Sequence, residues 1–126
     1  MKSQLRPAGG PKKVLVVEDE LFVAMDIERV LLENGYAVLG PASTITAALR
    51  LLDFEVPDVA LLDFNVLGEP VTPVADRLRI IGIPIVLTSA YDFGRMSEIE
   101  GLKGALYVQK PFDDDALLKA LDDSIP

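Results

Sequence analysis

Four short polar clusters each close a run of apolar residues. Glu18-Asp19 follows Val14 to Val17, Asp63 with Asn65 follows Val59 to Leu62, Thr88-Ser89 follows Ile83 to Leu87, and Lys110-Pro111 comes just after Ala105 to Val108. If these clusters meet in one pocket, three carboxylates converge, and their repulsion raises their pKa values unless a divalent cation accepts their oxygens. Such hard oxygen ligands suit Mg²⁺, which takes one or two protein carboxylates, keeps several waters and leaves positions for phosphate oxygens. Mn²⁺ is the alternative that the same oxygens admit. A carboxylate beside such a metal and a lysine can act as a nucleophile toward phosphorus. Its attack forms an acyl phosphate, while the metal and Lys110 neutralise charge on the equatorial oxygens.

Taken singly, each cluster has an ordinary structural reading. Glu18-Asp19 would serve as a helix cap, Asp63 as a turn residue, Ser89 as a loop hydroxyl and Lys110 as a solvated cation. Their weight comes from falling at successive strand ends in one consistent order. Composition narrows the chemistry further. Cys is absent, which excludes disulfides and thiolate sites, and His is absent, which removes the commonest general base, the Ser-His triad and His-ligated zinc. A formal net charge of −8 argues against direct binding of nucleic acid or an anionic membrane, both of which require Lys and Arg to offset phosphate charge. No segment approaches a membrane span, and the polar, slightly basic start from Met1 to Lys13 lacks an apolar core of signal-peptide length, so a cytoplasmic location is expected.

The elements that must position these residues follow from the hydrophobic pattern. The chain has 126 residues, half of them hydrophobic, which suits one domain over 13–126 behind a flexible N-terminal arm of residues 1–12. Short apolar runs alternate with helical patterns five times. Val14 to Val17 is apolar on both faces, as a strand covered by helices on each side requires. A helix is expected from about Glu20 to Asn34, with Val23, Ile27, Val30 and Leu31 at helical spacing and Gly35 as its terminating residue. Tyr36 to Leu39 reads as a second strand that Gly40-Pro41 breaks, and Ser43 as the cap of a helix carrying Ile45, Leu49 and Leu52. After the strand Val59 to Leu62 comes a loop rich in turn formers. Thr72 then reads as a cap with Pro73 at the first helical position, and Val74, Leu78 and Ile81 form the buried stripe. Ile83 to Leu87 and Ala105 to Val108 are further strands. The stretch from Phe93 to Leu102 carries the weakest helical stripe and is expected to be mobile, and Asp113 to Ser124 makes a last helix whose three leading aspartates suit the positive end of its dipole. Strict alternation implies parallel strands joined by right-handed crossovers, hence an α/β doubly wound sheet in a three-layer sandwich, with ligands at the carboxyl ends of the strands.

With these segments in order, the sequence resembles the receiver domains of two-component response regulators from Lys13 to Ser124. The segment VLVVEDE resembles the family's acidic-pair turn, PDVALLDFN its phosphorylation-site strand, IPIVLTSAYD its fourth strand and YVQKPF its lysine strand. The resemblance implies a flavodoxin-like (βα)5 fold with a five-stranded sheet in the order 2-1-3-4-5. It implies Asp63 as phosphoacceptor, Asp19 as a direct metal ligand, Glu18 as a ligand acting through water, and Asn65 as giving its backbone carbonyl to the metal. Lys110 would lie on the phosphoryl oxygens, with a cis peptide before Pro111. Thr88 and Ser89 both carry hydroxyls. The count of five residues from Pro84 and the likeness of Ser-Ala-Tyr-Asp to the family's Thr-Ala-Tyr-Asp select Ser89 as the switch hydroxyl. Tyr107, three residues before Lys110, matches the family's rotating aromatic residue, with Tyr91 the alternative in related single-domain regulators. NGYAVLGPA, DFNVLGE and PVADRL resemble a stand-alone alphaproteobacterial subgroup noted for a Phe-Ala-Thr-Gly-Tyr stretch, where this chain reads Leu-Thr-Ser-Ala-Tyr.

The resulting expectation is a signalling domain that takes a phosphoryl group on Asp63 from a sensor histidine kinase or phosphotransfer protein and then presents a changed surface to a downstream protein. It would not be a turnover enzyme, beyond self-catalysed phosphoryl uptake and slow loss. An Asp-nucleophile phosphohydrolase generally needs a second acid two residues after the nucleophile, and Asn65 stands there. A receiver-like interaction module that is never phosphorylated is the other rival, and its acidic pocket would normally be degraded.

Overall fold

Strand β1 (Lys13–Val17) buries Val14, Leu15, Val16 and Val17 completely, so helices must cover both of its faces. The computed structural model, which describes residues 10–90 and 104–126, meets that demand. Most of the arm expected at the N-terminus lies outside the described residues, as do Tyr91 and the weak helix from Phe93 to Leu102. After β1 come α1 (Leu21–Glu33), β2 (Ala37–Ala42), α2 (Ile45–Phe54), β3 (Val59–Asp63), β4 (Asn65–Val66), β5 (Glu69–Pro70), α3 (Thr72–Ile80), β6 (Ile85–Ser89), β7 (Leu106–Gln109) and α4 (Asp114–Ser124).

Five of the strands form one parallel sheet in the order β2-β1-β3-β6-β7, which is 2-1-3-4-5 when only the strands of that sheet are counted. Alternation along the strands divides the core into two layers. Leu15, Val17, Ala60, Leu62 and Leu87 pack on one face with Ala48 and Leu52 of α2 and with Val74 and Leu78 of α3. Val14, Val16, Val59, Leu61 and Val86 pack on the other with Ile27, Val30 and Leu31 of α1 and with Leu117 and Leu121 of α4. Each fully buried leucine or valine contributes about 1.5–3 kcal/mol. The doubly wound sandwich therefore follows from strands that are apolar on both sides.

Several local features differ from the sequence reading. Gly40-Pro41 does not break the second strand. β2 continues to Ala42 through a bulge, where the register slips between Leu15↔Leu39 and Val17↔Ala42. Gly40 permits this with a φ of 101°, and a Cβ there would meet Ala42 N at 2.7 Å and Val16 O at 3.1 Å. The longer strand moves the next cap along by one: Thr44, not Ser43, accepts from Ala47 N at 3.0 Å. Thr72 is already the first residue of α3, because buried Val71 occupies the cap position and its carbonyl receives the amides of Val74 and Ala75. Ile81 is 43% exposed, since α3 has ended before it. The loop expected after Asp63 contains the antiparallel pair β4–β5, and Pro84 lies outside β6, where its carbonyl accepts from Ala60 N at 3.0 Å.

Candidate functional site

The carboxyl ends of β1, β3 and β7 bring Glu18, Asp19, Asp63 and Lys110 together. Glu18 is held there from below, because its amide donates to Ala42 O at 2.9 Å just beyond the bulge of β2. The residue is 2% exposed, with Oε1 accepting from Lys110 Nζ at 2.9 Å and Oε2 from Glu20 N at 3.1 Å. Glu18 thus satisfies a backbone amide at the entry to α1 and also reaches into the pocket. Asp19 lies beside it, and its Oδ2 accepts from Leu67 N at 2.9 Å. Asp63 ends β3 with Oδ2 3.3 Å from Lys110 Nζ and Oδ1 accepting from Asn65 N at 3.4 Å. Lys110 is aimed by its backbone. Its amide donates to Ser89 O at 2.8 Å, and the Lys110–Pro111 peptide is cis.

One carboxylate oxygen from each of Glu18, Asp19 and Asp63 lies within 4.8 Å of the others. Magnesium holds oxygens at about 2.0–2.1 Å, so its ligands stand at most about 4.2 Å apart, and the cluster fits a metal with one acid acting through water. Asn65 adds an independent sign, since its Oδ1 is buried without a hydrogen-bond partner among the described residues. Such an acceptor is stabilised by a donor from a metal's water shell. All of these donors are hard oxygens, as the cation requires.

The electrostatics of the cluster are those of a site short of positive charge. Burial pushes Glu18 from the ordinary 4.5 up to about 7, against the opposing pull of Lys110 and the Glu20 amide. Burial also raises Asp63, with Lys110 holding it back. Desolvation acts upward on Asp19 as well, but the Leu67 amide and the Glu18 carboxyl outweigh it and leave its pKa lowered. For Lys110, burial disfavours the charge, yet Glu18 and Asp63 prevail and its pKa is raised.

Ser89 is 2% and Thr88 1% exposed, so both hydroxyls are inside. Thr88 is in register with Asp63, and its carbonyl receives Phe64 N at 2.9 Å. Tyr107 is in register with Leu87 and packs on the same core layer, and strand alternation puts Ser89 on that face two residues beyond Leu87. Tyr91 lies outside the described residues. The sequence reading missed the Leu67 amide, which is a backbone donor and leaves no signature in residue type.

Comparison with known proteins agrees with this fold. Residues 14–122 match the family model described as response regulator receiver domain. The chain is similar to the transcriptional regulatory protein PdtaR of Mycobacterium tuberculosis, 30% identical over 117 residues that cover 91% of this chain and 57% of PdtaR. It therefore spans little more than half the length of that relative. Sporulation initiation phosphotransferase F of Bacillus subtilis is 26% identical over 118 residues, covering 91% of this chain and 94% of its own. The solution structure of SdrG from Sphingomonas melonis Fr1 superposes with a TM-score of 0.75 at 33% identity, covering 89% of this chain and 94% of SdrG.

Proposed function

The chain belongs to the response regulator receiver domain family, and from that premise we propose that Asp63 accepts a phosphoryl group, with Mg²⁺, from the phosphohistidine of a sensor histidine kinase or phosphotransfer protein. The observation that carries this reading is the placement of Lys110, whose Nζ lies 2.9 Å from Glu18 Oε1 and 3.3 Å from Asp63 Oδ2. A lysine so held stands against the acceptor and meets the equatorial phosphoryl oxygens as they arrive. A carboxylate oxygen of Asp63 forms the new bond to phosphorus as the bond from phosphorus to the donor imidazole nitrogen breaks, and the imidazole leaves with the electron pair. Asp19, Asp63 and the Asn65 backbone carbonyl would hold Mg²⁺, with Glu18 through water. When bound, the ion neutralises charge on the phosphoryl oxygens during transfer.

The donor protein must reach the open end of the sheet. An apolar groove of about 490 Å³ runs there between α1 and the turn after β7, lined by Phe22, Val23, Ile27, Pro111 and Phe112. Phe22 is 82% exposed, which suits a surface that a protein donor covers. After transfer the phosphoryl oxygens draw the Ser89 hydroxyl inward, Tyr107 follows into the space released, and the surface of β7 and α4 changes for a downstream protein. No helix among the described residues is long and apolar enough to cross a membrane, and the reading is of a cytoplasmic signalling domain whose chemistry ends at one stored phosphoryl group. A phosphate-affinity gel after acetyl phosphate and Mg²⁺ tests the acceptor. Wild type should shift and Asp63→Asn should not, and an equally shifted Asp63→Asn refutes the assignment.

A further inference from the structure

We propose that the β4–β5 hairpin is a clamp that orients Asp19 toward the metal, acting through the backbone amide of Leu67. The inference deepens the Mg²⁺ reading and rests on it. An aspartate free to turn about its side-chain bonds can offer either oxygen, or neither, to an ion. Here Oδ2 is committed to Leu67 N at 2.9 Å, a bond that spans 48 positions of sequence and fixes the carboxylate beside those of Glu18 and Asp63.

The backbone conformation at Leu67 shows that this amide is held against a cost. Leu67 has a φ of 52° and is the one non-glycine residue with positive φ among the described residues. That region crowds the Cβ of an L-residue, and a branched side chain such as leucine occupies it only when the surroundings impose it. Side-chain packing does not impose it, because Leu67 is 63% exposed. The strands do. Asn65 pairs with Pro70 and Val66 with Glu69, which leaves Leu67-Gly68 as a two-residue turn with both φ values positive, 52° and 81°. Both legs are anchored, since Val66 and Val71 are buried and Val71 N donates to Phe64 O at 2.8 Å. The strained turn thus fixes one amide at the tip over the acidic pair. Outer partners that orient a metal ligand act in this way in general.

Gly68 separates turn conformation from steric contact, because a Cβ built there meets nothing within 4 Å while its φ of 81° remains unfavourable for an L-residue. Valine disfavours that conformation strongly and asparagine tolerates it. Mg²⁺ titration calorimetry on the full chain, with urea unfolding in EDTA as the control for folding, tests the clamp. Gly68→Val should stay folded and bind Mg²⁺ roughly 10–100-fold more weakly, whereas Gly68→Asn should stay within about threefold of wild type. If the valine variant does not fold, Gly68→Ala takes its place in the same comparison and should also be weakened. A folded Gly68→Val that binds like wild type overturns the clamp, as does an equal weakening by Asn and Val. Loss of Mg²⁺ binding in wild type itself would instead overturn the metal reading on which the clamp depends.

Discussion

Replacing Lys110 by Met keeps most of the aliphatic stem and removes the cation that stands between Glu18 and Asp63. Unit charges 2.9 Å apart attract by about 5–6 kcal/mol at the screening typical of partly buried sites. Lysine gave up hydration to reach that position, so the net loss in metal-free protein is about 3 kcal/mol. Glu18 decides how the loss varies with pH. Its carboxyl titrates at about 7 in the folded protein, raised by burial and held down in part by Lys110. Wild type therefore gains almost nothing from ionising Glu18 at about pH 6, and about 1.4 kcal/mol at about pH 8. Without Lys110 the carboxyl is pushed higher still and the gain disappears at both values. The unfolded chains differ by an exposed lysine, whose effect is common to both conditions. Lys110→Met should thus be more destabilising at about pH 8 than at about pH 6 by roughly 1.4 kcal/mol. Urea unfolding of wild type and variant in EDTA at the two pH values measures the difference. A loss that is constant, or that shrinks at the higher pH, refutes the coupling between Lys110 and Glu18.

The metal-free wild type should itself lose stability as pH rises. Folded Glu18 holds its proton more tightly than the unfolded chain does, so its contribution is complete below about 4.5 and is lost as pH rises through about 7, an effect on the order of 3 kcal/mol. Asp63, whose pKa is also raised, acts in the same direction. Thermal unfolding in EDTA should show Tm falling between about pH 5 and about pH 8, and Mg²⁺ at about 100 times its Kd should restore about 2.7 kcal/mol at the upper end. A Tm that rises over that range in EDTA contradicts a Glu18 carboxyl whose burial outweighs its pairing with Lys110. Gly40→Ala should cost about 2–4 kcal/mol, because the added Cβ meets the backbone of Ala42 and Val16 and the φ of 101° disfavours it. The same substitution should weaken Mg²⁺ binding, since Ala42 O is what receives the Glu18 amide. Calorimetry showing unchanged affinity in a destabilised Gly40→Ala would separate the bulge from the acidic pair.

The sheet was legible because its apolar runs read as strands, those of β1, β3 and β6 buried on both faces, and ligand chemistry at their carboxyl ends then follows from topology. Glu18, Asp63 and Lys110 meet because each directly follows or closely trails such a run. Positions where the backbone departs from its usual partners were harder. Gly40-Pro41 carries the marks of a strand end, yet positive φ at Gly40 lets β2 bulge and continue, which no local propensity signals. Ser43 and Thr44 are equally good caps by type, and the longer β2 selects the second. The hairpin at Asn65–Pro70 escaped notice because its turn is Leu67-Gly68, where an Asn-Gly or Asp-Gly pair would have announced it. Its contribution to the site is a backbone amide, and side-chain identity carries no record of such a donor.

The exceptions to ordinary local rules gather at one end of the sheet. Glu18 is buried and its carboxyl is displaced to about 7, Asn65 Oδ1 is buried without a partner among the described residues, and Leu67 sits in a conformation that leucine avoids. Each is unfavourable in the metal-free fold, and each is relieved or made useful by the same event. A cation among Glu18, Asp19 and Asp63 would offset their repulsion, its water shell would supply a donor to Asn65, and the amide at the strained turn already fixes the Asp19 carboxylate in the cluster. Natural folds tolerate such local conflicts where function requires them, and the well-packed remainder of the domain carries the cost. The charge deficit that weakens this end of the sheet is therefore the same property that would draw a metal to Asp63 beside Lys110, and on the proposed function stability and phosphoryl acceptance should respond together to a change at Lys110.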